Sequence, residues 1–279
     1  MVSDVWAVGD AYEAYVGRWS RRVAADFVPW LGVPPGRRWL DVGCGTGALT
    51  ATVLAGARPA RVVGVDSSPG FLKDARAAAF GAEGRDVAGR AGFVAGDARS
   101  LPLPDRRFDA IVSGLALNFV PEPARAAAEL ARVAAPGAVV AAYVWDYAEG
   151  MAMMRYVWDA AAEVDPQGAA LDEGRRFPLC QPEPLRLLWT DAGLTGVEVR
   201  PFEVPTVFAD FDDYWRPFLG GQGAAPAYLA TLDDARRDAI RDLVRSRLPS
   251  LVDGSIPLSA RVWAVRGTAA VAAGTARSA

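Results

Sequence analysis

The chain reads as an α/β protein built on a doubly wound, mostly parallel sheet, and three observations predict this. Residues 37–145 alternate short apolar segments with Ala-rich stretches of helical character. The apolar segments are continuous runs, as expected of strands buried on both faces, and not in-and-out alternations. The first of them passes through a glycine-rich turn straight into a helix, the punctuation of a β–α unit.

Taken in order, the chain opens with an aromatic segment, 1–36. Trp39-Leu40-Asp41-Val42 is the first predicted strand, followed by a helix from Thr46 to Ala55. Arg61-Val62-Val63-Gly64-Val65-Asp66 is the second, with a helix from Pro69 to Phe80. Phe93-Val94-Ala95-Gly96-Asp97 and Phe108-Asp109-Ala110-Ile111-Val112-Ser113 are the third and fourth, the latter leading to a helix from Pro123 to Val133. Ala138–Val144 is the fifth. From Asp146 the rhythm changes: a helix from Met151 to Val164, a Pro/Gly/Arg-rich segment, and a helix from Glu183 to Asp191. Residues 197–204 alternate as a strand does, and Leu258–Val265 reads as the last strand. The long connection between them, 209–255, holds Phe211, Tyr214, Trp215 and Phe218, a Gly220-Gly221-Gln222-Gly223 turn and a helix from Asp233 to Leu248, for which Thr231 supplies a start signal. Residues 268–279 read as a frayed tail.

Composition narrows the chemistry. The 279 residues, 52% hydrophobic, suffice for a full core in one large domain or a domain with insertions. No apolar run approaches the roughly 18 residues of a membrane helix, and Met1-Val2-Ser3-Asp4 carries no secretory pattern. Cys44 and Cys180 are too few for a disulfide framework, so a reducing cytoplasm is expected. A net charge of −3 lowers the expectation of nucleic-acid binding. Histidine is absent, which excludes histidine bases, triads and zinc–histidine sites; no metal site is expected. Lys73 is the sole lysine, so 29 of the 30 basic residues are arginine.

The stretch Asp41-Val42-Gly43-Cys44-Gly45-Thr46-Gly47 is the most informative. Alternate glycines allow positive φ and let a ligand approach the backbone closely, and the first amides of the following helix are free to donate. Open α/β sheets bind ligands at the carboxyl ends of their strands, near the point where strand order reverses. Those ends here are the glycine loop, Asp66, Asp97-Ala98 and Ser113-Gly114. Asp66, 19 positions after Gly47, can accept two hydrogen bonds from a ribose, as in nicotinamide dinucleotide sites. The G-x-G-x-G pattern lacks the third glycine of the dinucleotide spacing, however, and Asp41 before it would repel a pyrophosphate but suits an ammonium and a sulfonium. Asp97 and the next amide place an acceptor beside a donor, matching the edge of an adenine.

Through Asp41–Gly47, Val63-Gly64-Val65-Asp66, Gly96-Asp97-Ala98 and Phe108–Ser113, residues 37–145 resemble the class I S-adenosylmethionine-dependent methyltransferases, in the small-molecule, type 11-like branch. The resemblance implies a Rossmann-like sheet of seven strands, mostly parallel with a reversed C-terminal strand supplied by 197–204 and 258–266, within a domain spanning 37–267. Helical and aromatic lid insertions would occupy about 146–190 and 209–255. It implies S-adenosylmethionine as cofactor: ribose contact by Asp66 with Ser67 beside it, adenine contact by Asp97 and Ala98, and methionine-end contacts from Asp41, Gly43, Cys44, Gly45, Gly47 and Ser113. Cys44 is read there as a small filler and not as a nucleophile. The segment Tyr12-x-x-Tyr15-x-x-Arg18-Trp19 resembles the lid many members fold over the cofactor, with Tyr15 and Arg18 the expected contacts and Arg18 suited to a carboxylate.

Methyl transfer relies on holding a nucleophile in line with the sulfonium. Many relatives place a histidine just after the fourth strand; this chain has Asn118, which can orient a polar group but not take a proton. Substrate walls are expected from Trp145, Tyr147, Arg175, Arg176, Phe177, Tyr214, Trp215 and Gln222, with one of the two arginines reading an anionic group. For any single one of these aromatics, simple core packing is the competing reading. The expected partner is a small molecule, with no nucleic acid or membrane, on a monomer or homodimer. Three other functions compete with methyl transfer to a small molecule: a relative that binds the same cofactor but catalyses cyclisation or rearrangement, an RNA or protein methyltransferase, and a nicotinamide-dependent enzyme.

Overall fold

The computed structural model describes residues 17–81, 89–220 and 223–271. Tyr12, Tyr15 and Gln222 lie outside the described residues, as does the side chain of Arg18. The strands are β1 (Arg38–Val42), β2 (Arg61–Asp66), β3 (Ala91–Ala95), β4 (Phe108–Gly114), β5 (Ala134–Trp145), β6 (Thr195–Phe208) and β7 (Ile256–Thr268). The described helices are α1 (Arg18–Trp30), α2 (Ala48–Gly56), α3 (Pro69–Gly81), α4 (Pro123–Val133), α5 (Ala152–Val164), α6 (Glu173–Arg176), α7 (Pro182–Asp191), α8 (Phe211–Trp215), α9 (Ala224–Thr231) and α10 (Asp234–Arg247).

The seven strands form one sheet in the order β3-β2-β1-β4-β5-β7-β6. β1 pairs in parallel with both β2 and β4, so strand order reverses between β1 and β4 and leaves a crevice at their carboxyl ends. β7 is the reversed strand: Gly137 donates to Ala269 (3.0 Å) and Asp146 to Arg261 (3.0 Å), so partners descend on one strand as they rise on the other. At the amino ends of β1 and β4, Arg38 clasps Asp109 through its amide, Nε and Nη2 (2.9, 3.0 and 3.0 Å), bracing the β1–β4 pair. Trp39, Leu40, Val62, Ile111 and Val140 are fully buried along the strand runs, each contributing roughly 1.5–3 kcal/mol.

Several boundaries differ from the sequence reading for physical reasons. β3 lies two residues earlier, because the Gly96 amide turns back to Asp66 O (3.0 Å) and Asp97 bridges to Ser100. β5 starts at Ala134: Gly137, at φ 76°, keeps the chain in the sheet past Pro136. α10 is capped by Asp233, whose carboxylate accepts from the Arg236 amide (2.8 Å); Thr231 instead ends α9, its hydroxyl donating to Tyr228 O (2.6 Å). α3 begins as Ser68-Pro69 suggests, with Ser68 Oγ accepting from the Phe71 amide (3.3 Å) and Pro69 at the first helical position. The N-terminal aromatic segment contains α1, whose apolar positions Trp19, Val23, Phe27 and Val28 are buried at helical spacing.

The chain divides into two compact units. The sheet unit comprises Ala24–Val144, Pro182–Arg200 and Ala264–Ala279. It includes α7 because Leu185 and Trp189 are buried there and Trp189 Nε1 donates to Val140 O (2.9 Å). The insertion unit comprises Met1–Val23, Trp145–Gln181 and Pro201–Trp263. Its core is aromatic: Phe208 meets Trp19 and Tyr214 edge-on at 5.7 and 5.3 Å, and Phe211 stacks on Trp215 at 6.0 Å. An ion pair closes its first turn, with the buried Asp146 accepting from half-buried Arg261 through Nε (2.7 Å) and Nη2 (2.6 Å). Among the described residues no helix is long and apolar enough to cross a membrane.

Candidate functional site

The glycine loop follows β1. Gly43, Gly45 and Gly47 have φ of 73°, 52° and 90°, the left-handed region that non-glycine side chains resist. They need glycine for different reasons. A Cβ on Gly43 would be driven into Ala116 Cβ, and one on Gly47 would press Ala75 at 3.3 Å. A Cβ on Gly45 would meet nothing within 4 Å; its flank is open. The loop is hung from β2: the Gly43 and Cys44 amides donate to Val65 O (2.8 and 3.1 Å). Cys44 turns its thiol toward Gly64 and Phe93, where burial pushes the thiol pKa up, so it packs and does not react.

Two carboxylates hold the loop in shape. Asp41 is fully buried, with one oxygen accepting from Thr50 Oγ1 (2.7 Å) and the other, Oδ1, without a hydrogen-bond partner among the described residues. Burial outweighs the Thr50 bond and, with Asp66 nearby, lifts its pKa to about 7. Asp66, at the end of β2, accepts from the Gly45 amide (2.9 Å) and from the Ser68 amide (2.8 Å), while Ser67 is exposed beside it. The predicted ribose acceptor is therefore a structural member of the glycine loop as well. Each carboxylate oxygen has a second lone pair left to offer.

A narrow apolar slot lies at the strand ends of the sheet unit. Gly43, Ala98, Ser113, Ala116, Leu117 and Val120 line it. Three residues predicted from three separate motifs, Gly43, Ala98 and Ser113, are thus brought to one place. Asn118 stands in the turn beyond, and its Nδ2 is buried with no hydrogen-bond partner among the described residues. Asp97 is exposed, and its carboxylate is held by a neighbour the sequence reading did not single out. Arg99 donates to Oδ1 from its amide (2.8 Å) and Nε (3.1 Å), and to Oδ2 from Nε (3.1 Å) and Nη2 (2.7 Å). That guanidinium holds the Asp97 carboxyl well below the usual range, at about 2. Thr50 was missed in the same way; nothing in its spacing from Asp41 announces the bond.

The predicted substrate residues belong to the insertion unit, where their roles divide. Tyr214 is fully buried and donates its hydroxyl to Met153 O (2.7 Å), so it is spent on the core. Trp215 packs between Phe211 and Phe218. Trp145 is buried at the end of β5, and its indole Nε1 has no acceptor among the described residues. Tyr147 pairs with the Phe177 ring at 5.6 Å, and Arg176 lies over Phe177 at 5.4 Å. Arg175 is exposed on a polar groove whose floor is the Arg155–Asp172 pair (2.8 Å) and whose rim includes Glu149 and Asp159. No group of three or more potential metal ligands occurs among the described residues.

Comparison with known proteins agrees with this geometry. The profile of a methyltransferase domain family matches residues 40–142. The demethylmenaquinone methyltransferase of Renibacterium salmoninarum is 39% identical over 120 residues, covering 43% of this chain and 44% of that protein; the chain thus spans less than half the length of this relative. Among solved structures, the phosphoethanolamine N-methyltransferase 2 of Haemonchus contortus, in complex with phosphomonomethylethanolamine and S-adenosylhomocysteine, superposes with a TM-score of 0.55 at 17% identity, over 94% of this chain and 56% of that one. The [4+2]-cyclase SpnF does so with a TM-score of 0.55 at 20% identity, over 90% and 82%. At such identities the superpositions speak to the fold alone. Together with the strand order, the glycine loop and the acids at the strand ends, the profile match makes residues 40–142 of this chain similar to the methyltransferase domain family.

Proposed function

We propose that the protein transfers a methyl group from S-adenosylmethionine to a small organic acceptor. The observation that carries this is the glycine loop at 43–47, with the open flank of Gly45 beside Asp66 and the Asp41 oxygen that lacks a partner. These residues fit the cofactor. A buried carboxyl with a raised pKa and a spare acceptor suits a cationic ligand, whose charge would favour its ionised form. Asp66 has acceptor capacity left for vicinal hydroxyls. The cofactor supplies the activated methyl; the chain supplies position. Gly43, Gly45 and Gly47 let the backbone approach, Asp41 and Ser113 hold the methionine end, and Asn118, with its unsatisfied amide, orients the acceptor. Without a histidine, catalysis rests on proximity and orientation. Acceptor recognition is assigned to the insertion unit, with Trp145, Tyr147 and Phe177 as apolar surface and Arg175 or Arg176 as the reader of an anionic group.

Calorimetry tests the cofactor assignment. S-adenosylhomocysteine should bind, NAD should not, and Asp66→Asn should weaken the former at least tenfold; binding of NAD alone would overturn the reading. Incubation with labelled S-adenosylmethionine and panels of phenol, amine and carboxylate acceptors tests the transfer itself. Conversion of an acceptor without S-adenosylhomocysteine formation would instead point to cyclisation or rearrangement. Unchanged KM in Arg175→Ala and Arg176→Ala would remove the arginine assignment.

A further inference from the structure

The amino edge of the sheet, at the end away from the glycine loop, carries arginines in excess of its acids. Arg37 precedes β1, Arg58 and Arg61 lie at the entry to β2, and Arg106 and Arg107 precede β4. These three strands are neighbours in the sheet. Backbone bonds hold their entry turns together. The Gly36 amide donates to Arg58 O (2.9 Å), the Ala60 amide to Arg37 O (2.9 Å) and the Arg107 amide to Val133 O (2.8 Å). All five arginines are exposed.

The carboxylates of this edge are already taken. Asp109 is clasped by Arg38, and Asp105 and Glu129 are both held by Arg132. Each is thus neutralised by an arginine outside the five. Among the described residues none of the five has a side-chain hydrogen bond or an ion pair. The chain holds 33 acidic against 30 basic residues, so this local excess does not come from a shortage of acids. Like charges gathered in this way repel one another and attract an anionic partner.

The dimensions of the edge select the partner. Adjacent strand starts stand about 4.8 Å apart, close to the roughly 5–6 Å between side chains one turn apart on a helix. A guanidinium also takes a carboxylate in a two-pronged fork. A nucleic acid strand would overrun this edge and meet a chain of net charge −3. A short acidic segment meets the arginines alone, because charges beyond about 8 Å are screened at physiological salt.

We propose that the amino edge of the sheet docks an acidic helix of a partner protein through Arg37, Arg61 and Arg107, with Arg58 and Arg106 beside them. The crevice between β1 and β4 opens at the opposite, carboxyl ends of the strands, so docking leaves it clear. The test is binding of the full chain to a labelled peptide of about 15 residues with glutamates one helical turn apart. A glutamine version of the peptide, an oligothymidylate of similar length and phosphatidylglycerol vesicles are measured beside it. The glutamate peptide should bind, at least tenfold more weakly at about 200 mM salt than at about 50 mM, and the glutamine version should not. Arg61→Glu combined with Arg107→Glu should cut peptide affinity at least tenfold, with Tm and S-adenosylhomocysteine binding at wild-type values. Arg236→Glu, which reverses an exposed arginine on α10, should leave peptide affinity unchanged. Equal losses in the two variants would show indiscriminate attraction and overturn the proposal, as would a glutamate peptide that does not bind. Tighter binding of the oligothymidylate or of the vesicles would overturn it in favour of a nucleic acid or a lipid surface.

Discussion

Asp41 should make the protein less stable as pH rises through neutrality. Its carboxyl is fully buried, bonded to Thr50 through Oγ1 (2.7 Å), and its pKa is lifted from 3.8 to about 7. A carboxyl with a raised folded pKa keeps its proton in the native state after the unfolded chain has released it. Stability is therefore highest below the unfolded value, falls between about pH 4 and pH 7, and levels off above. At 1.36 kcal/mol per pKa unit the full span costs about 4 kcal/mol, of which about 3 kcal/mol falls between pH 5 and pH 8. For a chain of this length that is about 5 °C in Tm. Asp41→Asn carries no titrating proton. It leaves a buried amide poorly satisfied, but that cost is the same at every pH. Thermal melts of the wild type and Asp41→Asn at pH 5 and pH 8 isolate the effect: the variant should gain about 5 °C on the wild type between the two. Parallel curves would show that Asp41 is not protonated in the folded protein and would refute the reasoning. S-adenosylhomocysteine, bearing an ammonium, should shrink the wild-type slope by drawing the proton off.

Three further outcomes follow from the same geometry. Gly43→Ala and Gly45→Ala should separate folding from binding. The first clashes with Ala116 and should lose roughly 2–3 kcal/mol of stability, while the second meets nothing and should lose about 1 kcal/mol yet bind S-adenosylhomocysteine at least tenfold more weakly; urea titration and calorimetry report the two effects. Tyr214→Phe removes a buried hydrogen bond to Met153 O and should cost roughly 0.5–1.5 kcal/mol in urea unfolding without altering S-adenosylhomocysteine affinity. Gly150→Ala puts a Cβ 2.5 Å from Arg261 Cβ and 2.9 Å from Asp146 Cβ. It should loosen the Asp146–Arg261 pair and speed amide exchange in residues 146–155 while the sheet unit keeps its protection.

The sequence by itself determined the parallel strands, the glycine loop and the acids at the strand ends. Each of these is a local pattern: a continuous apolar run, a glycine where φ must be positive, a polar residue where a strand stops. Once β1, β2 and β4 pair in register, the chain has no freedom about where Asp41, Asp66 and Ser113 emerge. α1 was not read from the sequence, although Trp19, Val23 and Phe27 stand at helical spacing and are buried. What only the tertiary structure decided is which side chains were already committed. Thr50 takes one oxygen of Asp41, Arg99 takes both oxygens of Asp97, and Met153 takes the hydroxyl of Tyr214. Such commitments join segments through packing, and a polar residue looks the same in sequence whether or not its hydrogen bonds are spent. The acceptor-facing residues of the insertion unit were least legible for the same reason, since an aromatic that lines a pocket and one that fills a core obey the same hydrophobic pattern.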